Sequence, residues 1–161
     1  MAYATLVNRY QDSVYNLAYR LCGNQTTAED LAQETFIRAY KRLSQFRQDG
    51  VFRNWLLGIC GHLARSFHRT RFRRQQREEA YIKETVEHGG NASNTTPERL
   101  DVEAALMKLP TSLRVPIVLK YMEGLSLEEI AATLGLRLSA VKMRIQRGRR
   151  QMANALQEDT R

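Results

Sequence analysis

Between residues 142 and 150 this 161-residue chain carries five cations and no acid: Lys142, Arg144, Arg147, Arg149 and Arg150. On a helix, Arg144 and Arg147 fall on one face, from which guanidinium groups reach guanine edges or phosphates of a major groove. Ala140, Lys142, Met143 and Gln146 share the exposed surface with them. A second group is acidic. Asp30 and Glu34 stand four apart, beside Gln33 and Ile37. Acid, amide and isoleucine together suit docking to a basic partner. They also suit plain solvated surface, with Asp30 favoured by the helix dipole and Glu34 paired to Arg38, and the residues alone leave both readings open. A third group sets aromatics beside cations: Phe46, Arg47, Phe52, Arg53, Trp55, Phe67, Arg69, Phe72 and Arg73. Rings next to arginines fit unpaired bases and their phosphates better than closed duplex. Phe52, Trp55 and Phe67 are expected to be core, whereas Phe46 and the loop 44–52 are freer to form a base pocket.

Other chemistry is poorly provided for. Cys22, Cys60, His62, His68 and His88 show no paired ligand spacing, so no metal or other cofactor is expected, and free buried thiols fit a reducing cytoplasm. No acid or histidine cluster has the spacing of a catalytic site, so the chain is not expected to be an enzyme. No run is long enough to span a bilayer, and the first residues lack a basic start and apolar signal core, which argues against export.

Helices must position these groups. Leu6, Tyr10, Val14, Leu17, Ala18 and Leu21 recur at helical spacing, with Gly23 as a stop. A second helix is expected from Thr27, with Asp30 completing a capping box and a stripe of Ala28, Leu31, Ala32, Thr35, Phe36, Ala39, Tyr40 and Leu43. Asp49-Gly50 marks a loop. A third helix carries Phe52, Trp55, Leu56, Ile59, Leu63 and Phe67. Gly58 and Gly61 interrupt it, either to admit close approach of backbone or DNA or only to relieve packing. Further on, Ser126 and Glu129 form a capping box, Ile130, Ala131 and Leu134 face inward, and Gly135 turns the chain. Leu136 plugs the corner, Ser139 is expected to cap the next helix, and Val141 and Ile145 pack it back. Inward positions, glycine and caps together read as a helix-turn-helix.

The fold expected is all-α: two small helical domains, 1–80 and 97–161, joined by a flexible acidic and polar linker at 81–96 that contains "VEHGGNASNTT". Net charge is +8 and the pI near 9.9, the balance of a protein with a polyanionic partner. Six arginines occupy 65–77 without an acid, while residues 78–103 hold seven acids against Lys83 and Arg99, a net of −5.

Two stretches carry a family resemblance. "AEDLAQETFIRAYKRLSQFR" with "FRNWLLGICGHLARSFHRTRFRR" resembles region 2 of bacterial sigma factors. "LPTSLRVPIVLKYMEGLSLEEIAATLGLRLSAVKMRIQRGRRQM" resembles their region 4. With only these two regions, the chain resembles an extracytoplasmic-function (ECF) sigma factor over nearly all of its length outside the linker and chain ends. The resemblance implies that Asp30, Gln33, Glu34 and Ile37 bind the clamp coiled coil of core RNA polymerase. It implies that Gln45, Phe46, Arg47, Asp49 and Phe52 capture a flipped base of the melted minus-ten non-template strand. Asn54, His62, Arg65, Ser66 and Arg69 would then line that strand. Duplex minus-thirty-five DNA would be read by Arg137, Ser139, Ala140, Lys142, Met143, Arg144, Gln146 and Arg147. The chain departs from the common pattern at His62 and Ser66, where the family has Asn and Asp or Asn. It departs again at Arg137, Ala140 and Met143, where Pro, Thr and Ser are frequent. Met143 cannot donate a hydrogen bond, so contact there would be apolar, to a thymine methyl. The implied function is a cytoplasmic sigma factor directing promoter-specific initiation, regulated by an anti-sigma factor. The alternative is a stand-alone helix-turn-helix regulator binding duplex DNA as a dimer, which leaves the aromatic loop unexplained and lacks a dimerisation helix.

Overall fold

The computed structural model describes residues 3–47, 50–79 and 97–159. Asp49 and the linker segment 81–96 lie outside them. Among the described residues there is no strand. A first lobe holds α1 (Tyr3–Cys22), α2 (Gln25–Lys41) and α3 (Phe52–Glu79), with a 3-10 turn at Leu43–Gln45 after α2. The second holds α4 (Pro97–Lys108), α5 (Thr111–Tyr121), α6 (Leu127–Leu134) and α7 (Leu138–Asp159). In the first, each helix packs on the other two; in the second, α7 is the spine against which α4, α5 and α6 lie.

Local chemistry explains most boundaries. The capping box expected at Thr27 is not how α2 begins. The helix starts two residues earlier, with Asn24 as N-cap: its side-chain oxygen accepts the Thr27 N–H at 3.0 Å from an extended backbone. Asparagine caps as well as threonine and comes first in the chain, so it sets the start. The box at Ser126 forms as expected, with Glu129 N–H to Ser126 Oγ and Ser126 N–H to Glu129 Oε1 both at 3.1 Å. Gly135 closes α6 at φ +66°, a left-handed conformation costly to any side chain with a Cβ. Ser139 does not cap α7. That helix already includes Leu138, leaving Ser139 exposed in its first turn.

The inward residues expected from periodicity are inward. Val14, Leu17, Leu21, Leu56, Val118, Leu119, Ile130 and Val141 are fully buried, each contributing about 1.5–3 kcal/mol by leaving water. Tyr40 and Leu43, expected on the stripe of α2, are instead exposed, and so is Phe67. Ala64 is the last described buried side chain of α3, so Phe67, a turn later, stands clear of the core and meets His68 edge-on at 6.2 Å.

The two lobes are docked, and one hydrophobic cluster runs through both, from Val14 and Leu57 to Val115 and Ile130. Polar groups fix the docking. Arg114, 5% exposed, sends its guanidinium to the carbonyls of Leu106 (2.9 Å), Met107 (2.8 Å), Leu109 (2.6 Å) and, across the lobes, Leu21 (2.7 Å). Glu123, just past α5, accepts from Arg20 of α1 at 2.9 Å and Arg53 of α3 at 2.6 Å. Its side chain is 6% exposed, so both cations are needed to offset the loss of water.

Candidate nucleic-acid and protein interfaces

On α2, Asp30, Gln33, Glu34 and Ile37 all point to solvent at helical spacing, on the face opposite Ala28, Leu31, Ala32 and Thr35. Ile37 is 44% exposed, more than an isoleucine in a three-helix lobe needs to be. Glu34 pairs with Arg38 at 3.3 Å, an exposed i,i+4 contact contributing about 0.3–0.5 kcal/mol. Asp30 enters no ion pair among the described residues. Beside this patch lies a mostly apolar hollow of about 350 Å³ lined by Tyr3, Val7, Phe36, Ile37 and Tyr40 together with Gln33 and Lys41, with the Tyr3 hydroxyl donating to the Phe36 carbonyl. The hollow went unnoticed in the sequence because Tyr40 reads there as core. An acidic rank bordered by an apolar hollow can seat a basic helix that also carries an aliphatic anchor.

The aromatic group is real but closes on itself. The Phe46 ring meets Phe52 edge-on and Trp55 at a tilt, both with centroids 5.3 Å apart, and Tyr10 tilts against Phe52 at 5.4 Å. Phe46 is thus half-buried, one wall of a cluster, and the base pocket expected there has three more rings behind it. Gln45 and Arg47 flank it at the surface; Asp49 is outside the described residues. Along α3, Arg65, Ser66 and Arg69 are exposed with His62 at the head of their face. Burial, then the nearby Arg65 cation, push the His62 ring below its ordinary 6.5, against a hydrogen bond to the Leu134 carbonyl that acts the other way. Asn54 does not stand free: its amide donates to Glu129 at 2.9 Å. The Ser126 backbone first, then Asn54, hold the Glu129 carboxyl below its ordinary range. The residues implied for the melted strand therefore divide. His62, Arg65, Ser66 and Arg69 are exposed, whereas Asn54 is held by a side chain of the second lobe.

The helix-turn-helix is α6, the Gly135 turn and α7. Val141 and Ile145 are buried against α6, and Leu136 seals the corner, its N–H bonding the Ala131 carbonyl at 2.9 Å. Arg137, Ser139, Lys142, Met143, Gln146 and Arg147 are exposed, and Ala140 and Arg144 are half-buried. Met143, 47% exposed, presents an apolar tip on a cationic face. On the flank of α7, Lys120, Tyr121, Lys142, Gln146, Arg149 and Arg150 line a hollow of about 420 Å³, with the Lys120 ammonium 5.6 Å from the Tyr121 ring centre. Four cations and no acid make it suited to phosphate. Lys120 and Tyr121 belong to α5, so the cation run in α7 gives no hint of them.

Both lobes match known protein families. Residues 6–78 match the family described as Sigma-70 region 2, and residues 99–152 match Sigma-70, region 4. The chain is 43% identical over 155 residues to the ECF RNA polymerase sigma factor SigE of Mycolicibacterium smegmatis, covering 94% of this chain and 60% of that protein's length. It is 34% identical over 172 residues to the ECF RNA polymerase sigma factor SigW of Bacillus subtilis, covering 98% and 90%. Among solved structures, the sigma factor RpoE of Bartonella quintana, crystallised with the anti-sigma factor NepR, is similar at a TM-score of 0.75 and 25% identity over 96% of each chain.

Proposed function

This chain belongs to the sigma-70 family, in its extracytoplasmic-function class, and on that footing we propose that it binds core RNA polymerase and directs initiation at a particular set of promoters. Its work is recognition: α2 docks on the polymerase through Asp30, Gln33, Glu34 and Ile37, and α7 enters the major groove of the minus-thirty-five element. The cluster of Phe46, Phe52 and Trp55 captures a base of the minus-ten strand, with α3 lining the strand beyond it. Flipping a base costs a few kcal/mol and costs least in DNA already opened, so an aromatic trap next to arginines stabilises the melted state without chemistry. The observation that carries the proposal is the match of both regions, in order, within one chain.

Such a factor works where the polymerase is, in the cytoplasm, and no helix among the described residues is long and apolar enough to cross a membrane. The Bartonella quintana neighbour is held by an anti-sigma factor, and a partner of that kind is proposed here. The test is gel filtration with purified bacterial core polymerase. The native chain should co-elute stoichiometrically, and the double variant Asp30→Arg, Glu34→Arg should not, while keeping its circular dichroism. A chain that elutes alone, as a dimer binding duplex DNA, would instead be the stand-alone regulator.

A further inference from the structure

We propose that Arg42, at the end of α2, binds a backbone phosphate of the melted strand and so supplies a cation that α3 lacks between Trp55 and Arg65. The inference rests on the reading of the Phe46 cluster and α3 as the strand-binding face, and adds to it a residue from another helix. Along α3, Trp55, His62, Ser66 and Arg69 follow one another at helical spacing. The aromatic cluster ends at Trp55, and the first arginine after it is Arg65, ten positions on, or about 15 Å along a helix. Between them runs "LLGICGHLA", without a lysine or an arginine. His62 is the one titratable cation there. Its ring, pushed below 6.5 by burial first and then by the Arg65 and Arg42 cations, is mostly neutral at pH 7. A strand with a base in the cluster and its backbone on Arg65 and Arg69 would cross that stretch with its phosphates unmatched, unless another element brings a charge.

Arg42 is placed to bring it. Leu31, Thr35 and Ala39 mark the buried side of α2, and Thr35 is hydrogen-bonded to Cys60 of α3. Arg42 comes seven residues after Thr35 and three after Ala39, in the same helical phase. Its N–H still bonds the Arg38 carbonyl at 3.0 Å, as a helical residue's does. The side chain therefore leaves α2 toward α3 and away from Asp30, Gln33, Glu34 and Ile37. Unlike Thr35, it is exposed, and its charge is close enough to act on the His62 ring. It enters no ion pair among the described residues. Arg42 also adjoins the base pocket along the chain. The Gln45 N–H bonds its carbonyl at 2.9 Å, closing the 3-10 turn that delivers Phe46 to Trp55. Arg38 and Lys41 already supply the positive charge that the end of α2 favours, so the helix itself has no need of a third cation.

Arg42→Ala, Arg42→Lys, Phe46→Ala and Arg69→Ala are compared with the native full-length chain. Fluorescence anisotropy measures binding of a mixed-sequence 12-nucleotide single strand at several salt concentrations, and of a mixed-sequence 20-base-pair duplex. Arg42→Ala should bind the strand about three- to fivefold more weakly, the upper range for an exposed ion pair. It should also make the slope of log affinity against log salt shallower by about 0.7, the loss of one single-strand phosphate contact. Arg42→Lys should keep most of both, because a point charge suffices for a phosphate. Duplex affinity and co-elution with core polymerase should not change, since neither α7 nor the outer face of α2 is touched. If Arg42→Ala binds the strand as the native chain does, while Phe46→Ala and Arg69→Ala weaken it, the assignment of Arg42 is wrong and the strand reading survives. A loss that is equal at every salt concentration and not restored by lysine would make Arg42 a packing residue, and overturns the assignment too. If Phe46→Ala and Arg69→Ala also leave strand binding unchanged, the strand does not lie on this face and the reading beneath the proposal fails.

Discussion

Replacing Arg114 by methionine should be among the most damaging single changes available to this fold. The guanidinium makes four hydrogen bonds to main-chain carbonyls, three at the end of α4 and one at the end of α1. The Leu106 carbonyl also accepts the Leu109 N–H at 3.1 Å, whereas the other three are acceptors at helix ends of the kind a helix cannot satisfy itself. Methionine fills much of the same volume but donates nothing. Each carbonyl left dry costs about 1–3 kcal/mol, so the three that lose their donor set a gross cost of ~3–9 kcal/mol. Against that, the native arginine sits desolvated with no carboxylate partner, and removing a buried charge returns a few kcal/mol. Burial also lowers its pKa, a sign that the charge is held at a cost. Water admitted at the helix ends recovers part of what remains. The net expectation is a loss of about 3 kcal/mol, which at a urea m-value of ~2 kcal/mol/M moves the unfolding midpoint down by ~1.5 M. Arg114→Lys should lie between, because an ammonium has three donors and no planar fork with which to reach carbonyls of two helices. Urea titration followed by circular dichroism measures both. A midpoint lowered by less than ~0.5 M for the methionine variant would mean that the carbonyls find other donors, and that Arg114 is not what ties α1 to the second lobe.

Other expectations are shorter to state. Arg144→Ala should weaken promoter binding by about 1–3 kcal/mol in an anisotropy titration; an equal loss on scrambled duplex would make it a phosphate contact instead of a base contact. Gly148→Ala should destabilise the second lobe by about 1–3 kcal/mol, because the new methyl falls on the Ile117 side chain, and unchanged thermal unfolding would contradict that packing. The His62 ring should titrate below 6.5 by NMR. A ring kept neutral by the fold contributes stability above pH 6.5, and that contribution is lost as pH falls through its depressed pKa. Cys60, its thiol pushed up to about 12 by burial, should resist alkylation at pH 8 until the chain unfolds, and rapid labelling in the native state would refute its placement.

Much of this was legible from residue order because the determinants are local. The period of Val14, Leu17 and Leu21 fixes a buried face, and Ser126 with Glu129 fixes a helix start whose groups are three residues apart. The errors were local too. Asn24 lies upstream of the first apolar position of its helix, so periodicity pointed to Thr27 as the cap. Phe67 keeps its helical phase after the core that would cover it has ended. What the chain order conceals is the docking. Glu123 meets partners 103 and 70 residues away, and no spacing rule links such positions. Asn54 and Glu129 are 75 apart. Arg114 did leave a signal, a lone cation in the apolar run "SLRVPIVL", where a solvated side chain has no place. The patch on α2 was undecidable from residues alone, because exposure looks the same whether or not a partner covers it.

The most direct test of the central claim needs no knowledge of the promoter. Core polymerase is supplied with a pool of templates carrying randomised upstream sequence, with and without this chain, and transcript 5′ ends are sequenced. The account predicts discrete start sites that appear only with the chain, each preceded by shared elements near minus ten and minus thirty-five, and lost with Asp30→Arg, Glu34→Arg. The same diffuse background in both reactions would contradict it.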